Sequence, residues 1–317
     1  MADLGLTNLK VNSSPHFSNG ERPCDLMRLV IIALLPITVY GVILFGISAL
    51  IQILVSVICA VGFEALFQIL TKQKVSISDC SAVVTGLMFA LTLPPTCPIW
   101  QTILGILFAI VVAKGFFGGL GSNVYNPALA GRAFLFVSFP SSMGSSWLKP
   151  GTDAISSATI LSEIKEGAAA GNASTYLQYF FGNRAGCIGE TSILLILIAF
   201  VFLLVTKVID WRATVAMLVT VAVVTLISGG DALLALLTGG LVFGAVFMIT
   251  DYATSPVTKP GRLVFGIACG LMTFLIRKFG GYPEGVMFSI LIMNSFKAFM
   301  DNLSCRKYGY KKLGAKK

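Results

Sequence analysis

The sequence predicts an all-α polytopic membrane protein with about ten transmembrane helices, arranged as two inverted five-helix repeats with interrupted helices. Three observations predict it: composition, the recurrence of apolar stretches, and the placement of positive charge. Of 317 residues, 56% are hydrophobic and only 12% charged, with a mean hydropathy of +0.87, whereas soluble domains carry about 25% charge. That excludes an ordinary soluble enzyme. Apolar stretches able to cross a hydrocarbon core of about 30 Å recur from Leu29 to Leu303. The net charge of +9 requires no nucleic-acid partner, since Lys and Arg collect in cytoplasmic loops of membrane proteins.

Taken in order, residues 1–28 form a polar cytoplasmic segment carrying Asp3, Lys10, Glu21, Arg22, Asp25 and Arg28, so no signal peptide is expected. Spans are expected near 29–47 and 49–70, joined by a tight turn, and the chain then passes through the Lys72, Lys74 and Asp79 loop. A third span near 80–93 halts at Pro94-Pro95, because proline lacks an N–H and clashes with the preceding turn. A fourth covers 99–116, and a less apolar fifth, 123–140, carries Asn126, Pro127 and Arg132. Residues 29–140 are the first repeat, and 141–190 is a long polar loop. The second repeat, 191–303, holds spans near 191–207, 213–228, 232–250, 263–277 and 285–303, followed by a basic cytoplasmic tail at 304–317.

Orientation follows from positive residues. With the N-terminus cytoplasmic, sixteen Lys and Arg fall inside, among them Lys114, Lys207, Arg212, Lys259 and Arg262, against five outside: Lys149, Lys165, Arg184, Arg277 and Lys278. Both termini are then cytoplasmic, and the 141–190 loop is extracytoplasmic. The halves also look related. Thr85-Gly86-Leu87-Met88-Phe89-Ala90 precedes a Pro-rich break as Thr238-Gly239-Gly240-Leu241-Val242-Phe243 precedes Asp251 to Pro256, and Phe117-Gly118-Gly119 matches Phe279-Gly280-Gly281. Five spans per repeat force the second copy upside down.

Of the charges within spans, Glu64 is expected to snorkel to the cytoplasmic interface. Asp251 and Arg132 adjoin Pro-interrupted regions, and each is open to a functional role or a structural one, as a helix end or a partner of carbonyls or headgroups. Seven scattered cysteines without C-x-x-C read as small buried apolar groups rather than metal or cluster ligands. His16, the single histidine, excludes a bis-histidine haem and a His-based metal cluster. No metal site and no catalytic residue is expected.

Four ordered strings carry a resemblance: Val11 to His16, Gly118-Gly119-Leu120-Gly121-Ser122-Asn123-Val124-Tyr125-Asn126-Pro127 running on to Phe134, Asp251-Tyr252-Ala253-Thr254-Ser255-Pro256-Val257-Thr258, and Phe279-Gly280-Gly281-Tyr282-Pro283-Glu284-Gly285-Val286. They resemble the D subunit of the Rnf ion-translocating electron-transport complexes, a family related to the B subunit of the sodium-translocating NADH:quinone oxidoreductase. The similarity runs from about residue 11 to 303. The family carries a flavinylation motif, D-x-x-S-G-A-T, whose threonine is esterified to the phosphate of FMN. Asp153-Ala154-Ile155-Ser156-Ser157-Ala158-Thr159 matches it with one departure: Ser157 stands where glycine is usual, and serine lacks glycine's backbone freedom beside a bulky group.

By this resemblance Thr159 is the covalent FMN anchor, Ser157 and Ala158 leave room for the phosphate, Ser156 hydrogen-bonds it, and Asp153 belongs to the sequence read by the flavin transferase. That transferase works outside the cytoplasmic membrane, so its acceptor has to face outward, where the charge count independently puts the loop. The resemblance implies a membrane flavoprotein subunit of a redox-driven Na+ or H+ translocase linking ferredoxin and NAD, in a bacterial or archaeal cytoplasmic membrane. Its partners would be the other Rnf subunits, including the flavin-bearing G subunit and the cytoplasmic C subunit; electrons taken up on the outer side and returned toward the cytoplasmic side would call for a second, noncovalent flavin such as the riboflavin of the related B subunit, to which no residue is assigned. The chain has no G-x-G-x-x-G between strand and helix for a nicotinamide of its own. Two alternatives stand beside this reading: a urea-channel-like channel or transporter without redox role, and the quinone-reducing B subunit.

Overall fold

The computed structural model describes residues 22–73, 75–144, 147–148, 155–156, 173–182, 184–281 and 284–304. Two helices, α1 (Pro23–Phe45) and α2 (Ile47–Leu70), are long and apolar enough to cross a membrane. Gly46, at φ 73°, lets the chain reverse between them without a loop. Then come α3 (Ser81–Leu91) and α4 (Ile99–Leu107), which runs on as a π-helical turn over Phe108–Gly115, and α5 (Pro127–Ser138). At 11 residues α3 spans only about 16 Å, half a bilayer core. It stops ahead of Pro94-Pro95, and the carbonyl of Leu93 accepts the Ile188 N–H at 3.2 Å.

The fifth apolar stretch forms helix only from Pro127. The side chain of Asn126 accepts the N–H groups of Ala128 and Leu129, and proline at the first helical position has no N–H to leave unpaired. Beyond it lie α6 (Pro140–Gly144), the strands β1 (Trp147–Leu148) and β2 (Ile155–Ser156), and α7 (Ala173–Phe181). The 141–190 segment is therefore not a plain loop and the chain not purely helical: β1 and β2 pair antiparallel, with Trp147 opposite Ser156 and Leu148 opposite Ile155. Alternation of buried Trp147 and half-buried Leu148 suits a short ribbon better than a helix.

The remaining elements are α8 (Ile193–Val205), α9 (Trp211–Ile227), α10 (Ala232–Leu237), α11 (Leu241–Phe243, continuing as a π-helical turn over Gly244–Met248), α12 (Lys259–Phe279), α13 (Val286–Ser295) and α14 (Lys297–Ser304). The apolar stretch near 232–250 is split at Thr238-Gly239-Gly240 into α10 and α11, and the one near 285–303 is split at Phe296.

Burial runs opposite to that of a soluble helix. On α2 the exposed residues include Ile51, Leu54 and Ile58, while Gln52, Ser56 and Glu64 are buried beside Ala49, Ile53 and Ala60. The apolar side chains Val201 and Val205 on α8 and Val219 and Val223 on α9 also point outward. Water would penalise such a surface heavily, whereas lipid accepts it, and the inward polar groups find partners in the interior. Ser56 Oγ donates to Gly86 O at 2.8 Å, and Thr214 Oγ1 donates to Ala245 O at 2.7 Å.

Close backbone approach holds α9 against α12. A Cβ on Gly266 would lie 2.4 Å from the carbonyl oxygen of Ala213. Gly266→Val is expected to cost about 1–3 kcal/mol through overpacking and to lower Tm in detergent, whereas Gly62→Ala, which meets open space, leaves Tm unchanged; thermal unfolding followed by circular dichroism checks both.

Candidate functional site

Helix α10 ends in the interior, which leaves carbonyls facing apolar surroundings. Two arginines cover them. Arg277 on α12 donates to Ala235 O at 2.8 Å and to Thr238 O at 3.1 Å, and Arg184 donates to Leu237 O, Glu190 O and Gly239 O. Both sit at the negative end of the α10 dipole, where cations are favoured. Glu284 takes the opposite end of the break: its Oε1 accepts the Gly240 N–H at 2.9 Å, at the start of α11.

Arg132 on α5 joins the halves of the chain. Its guanidinium donates to Glu284 Oε2 at 2.7 Å, lies 3.6 Å from Glu190 Oε1, and donates to Cys187 Sγ at 3.4 Å. Arg132, Arg184 and Glu190 are each 5% exposed. Of the two roles open to Arg132, the geometry is that of an interior ion pair across 152 residues of sequence. Glu190 belongs to a 3-10 turn, Ile188–Glu190, wedged between the two helix breaks. A Cβ on its Gly189 would lie 2.7 Å from Leu91 Cβ and 3.3 Å from Phe243, so only glycine fits there.

A second buried pair caps the start of α3. Lys114, in the π-helical turn after α4, donates to Glu64 Oε1 at 2.7 Å and to Ser81 Oγ at 2.6 Å, while Asp79 Oδ1 accepts the Ser81 N–H. Glu64 therefore does not snorkel. It is 6% exposed because Lys114, 3% exposed, neutralises it inside the protein. The positive-residue count likewise treats Lys114, Arg184 and Arg277 as loop charges, and the structure draws all three into contact with helix ends.

Asp251 closes a turn after α11, accepting from Thr254 Oγ1 at 3.0 Å. With Ser81, Lys114, Asn123, Phe247 and Tyr252 it lines a cavity of about 70 Å³ between the two halves of the chain. That is room for water or an ion, well below the roughly 300–1,000 Å³ of small-molecule sites.

Of the candidate flavinylation motif, only the backbones of Ile155 and Ser156 are described; Asp153, Ser157, Ala158 and Thr159 lie outside the described residues. Ser156 pairs with Trp147, whose Nε1–H donates to Gly144 O at 3.1 Å. Ser142 Oγ donates to Gln101 Oε1 at 2.7 Å, which ties α6 to α4. Helix α7 is fixed through Tyr176, donating to Asp231 at the start of α10, and through Phe181 O, which accepts Tyr40 Oη–H at 2.8 Å. Both described ends of the segment thus attach to the helical core. Sequence reading misses Lys114, Glu190, Arg184, Arg277 and the pairing of Glu284; the available signal was Glu284 inside the quoted Gly-Gly-Tyr-Pro-Glu-Gly string.

Removing one member of a buried pair strands the other. Lys114→Met is expected to destabilise by about 3–5 kcal/mol, and Glu64→Gln with Lys114→Met by less than Lys114→Met alone. Comparative thermal unfolding of the two single variants and the double variant reads the coupling.

Residues 10–309 match the model of the NQR2, RnfD, RnfE family. Similar proteins include the D subunit of the Na+-translocating ferredoxin:NAD+ oxidoreductase complex of Acetobacterium woodii, 42% identical over 96% of this chain and 97% of that one. Another is the D subunit of the proton-translocating ferredoxin:NAD+ oxidoreductase complex of Clostridium ljungdahlii, 39% identical over 93% and 94%. A third is the D subunit of the ion-translocating oxidoreductase complex of Citrobacter koseri, 36% identical over 95% and 99%. With a family match over nearly the whole chain and relatives well above 30% identity, the chain belongs to the NQR2, RnfD, RnfE family.

Proposed function

We propose that this chain is the D-type membrane subunit of an ion-translocating ferredoxin:NAD+ oxidoreductase complex, and that it carries FMN as a phosphoester of Thr159. The observation that carries the role is near end-to-end similarity to proteins named as the D subunit of ion-translocating oxidoreductase complexes, two of them named for ferredoxin and NAD+. It is a component of an oxidoreductase, not a catalyst alone, and works with other subunits, including the flavin-bearing G subunit and the cytoplasmic C subunit. One relative is named for Na+ and another for protons, and their similar identities to this chain, 42% and 39%, favour neither ion over the other.

In this reading the chain crosses the cytoplasmic membrane ten times in two inverted repeats, with both termini cytoplasmic and the motif outside. The matched strings support the repeat: Thr85-Gly86 lies in α3, which stops ahead of Pro94-Pro95, and Thr238-Gly239-Gly240 lies at the break between α10 and α11. A flavin transferase needs an acceptor clear of the helices, and the described start of the motif is strand rather than helix, which supports Thr159 as its target. Ser156, Ser157 and Ala158 would surround the phosphate, with Asp153 in the recognition sequence. When bound, FMN supplies electron transfer, and the protein sets its position and potential. For a second, noncovalent flavin the 70 Å³ cavity is too small as it stands, so no residue is assigned to it.

The channel reading finds no support at the breaks. Ile188–Glu190 and the Arg132, Arg184 and Glu284 side chains occupy the space where interrupted helices of a channel line a solute path.

The flavin proposal is tested on protein coexpressed with the transferase. The denatured band is expected to fluoresce under ultraviolet light and to carry an FMN mass increment on the peptide containing Thr159, and Thr159→Ala should abolish both while leaving membrane insertion intact. An unmodified wild-type peptide would overturn the covalent assignment.

A further inference from the structure

A second cavity, of about 570 Å³, opens where α8 turns into α9 and α12 begins. This volume falls within the roughly 300–1,000 Å³ of small-molecule sites. Four cations, Lys207, Arg212, Lys259 and Arg262, line it against one carboxylate, Asp210. Asp210 is already committed: its Oδ2 accepts from Arg212 at 2.7 Å and from Arg262 at 3.0 Å. Burial pushes its carboxyl up, but the backbone and side chain of Arg212 and the side chain of Arg262 outweigh that and hold it below the ordinary carboxylate range. It stays ionised at neutral pH, and the lining keeps a surplus of three positive charges.

Three of these cations stand where helix physics disfavours them: Lys259 and Arg262 lie in the first turn of α12 and Arg212 in that of α9, at the positive ends of two long helices. A preference for positive charge on one side of the membrane accounts for loop Lys and Arg, but not for their convergence on one cavity at helix starts. A bound anion would be attracted both to these cations and to the two helix N-termini, and so offset that repulsion.

The surroundings are amphipathic. Leu204 and Ile249 form apolar wall, and Trp211, 51% exposed with Arg212 5.5 Å over its ring, is an aromatic side chain of the kind found at the membrane–water boundary. Tyr252 Oη–H donates to Val208 O at 2.6 Å and fixes the wall between α8 and α9. Just above, Val205 is 75% exposed on the outward face of α8.

We infer that this cavity binds the phosphate of an anionic phospholipid, with Lys207 and Lys259 as its exposed contacts and the acyl chains running up the outer face of α8. Free inorganic phosphate shares the headgroup's chemistry but lacks the chains, which separates the two sources. The site is independent of the flavin reading.

The full-length chain, purified in a neutral detergent, is titrated with phosphatidylglycerol, phosphatidylcholine or inorganic phosphate and its Tm recorded. Phosphatidylglycerol is expected to raise Tm by about 4 °C or more and the other two to leave it in place. Lys207→Gln with Lys259→Gln should lose at least half of that shift, with its lipid-free Tm unchanged. If the double variant folds poorly, native mass spectrometry of the wild type replaces it, with retained phosphatidylglycerol expected and none retained overturning the assignment. An equal shift with phosphatidylcholine, or an undiminished shift in the variant, overturns it too. A full shift from inorganic phosphate alone overturns the lipid as ligand and makes the cavity a soluble-phosphate site.

Discussion

Helices that stop inside a membrane protein leave backbone groups which neither water nor lipid can satisfy, and the rest of this structure depends on how those groups are met. At the second break Arg184 and Arg277 take the carbonyls that end α10, and Glu284 takes the N–H that opens α11. Gathered here are three arginines and two glutamates, of which Arg132, Arg184 and Glu190 are buried and would be costly if they stood alone; the arginines and Glu284 bond to a helix end or to an opposite charge, and Glu190 lies 3.6 Å from Arg132. The Ile188–Glu190 turn serves both breaks at once, with the Ile188 N–H on Leu93 O and the Glu190 carboxylate beside Arg132.

This arrangement links the segment between α6 and the Ile188–Glu190 turn to the core. The chain that carries the candidate flavin motif leaves α6 through the β1–β2 ribbon and returns through α7, Arg184 and the Ile188–Glu190 turn. Its return end is therefore fixed by the same residues that close the second break. A solute channel would instead need the breaks open.

Much of the helical framework was legible because local chemistry decides it. Pro94-Pro95 ends α3, and the tight turn expected after the first span falls at Gly46, whereas the Asn126-Pro127 start of α5 lies inside the span expected at 123–140. The buried ion pairs were not legible, because Glu64 meets Lys114 across 50 residues and Arg132 meets Glu284 across 152, and hydropathy cannot tell a loop charge from one folded inward. The ribbon was missed since two-residue strands have no periodicity to read. The candidate motif is the reverse case: it came from a family pattern, and Ser156 is the last of its residues with a described backbone before Thr159.

The proposed flavinylation outside the membrane requires the segment bearing Thr159 to lie on the opposite side of the membrane from the Lys207 and Lys259 ends of α8 and α12. A membrane-impermeant amine reagent, applied to intact cells and to inverted vesicles and read by peptide mass spectrometry, tests this directly. Lys165 is expected to be modified in cells, and Lys207 and Lys259 only in inverted vesicles. Modification of Lys207 and Lys259 in intact cells, with Lys165 reached only from the vesicle exterior, would contradict the proposed orientation.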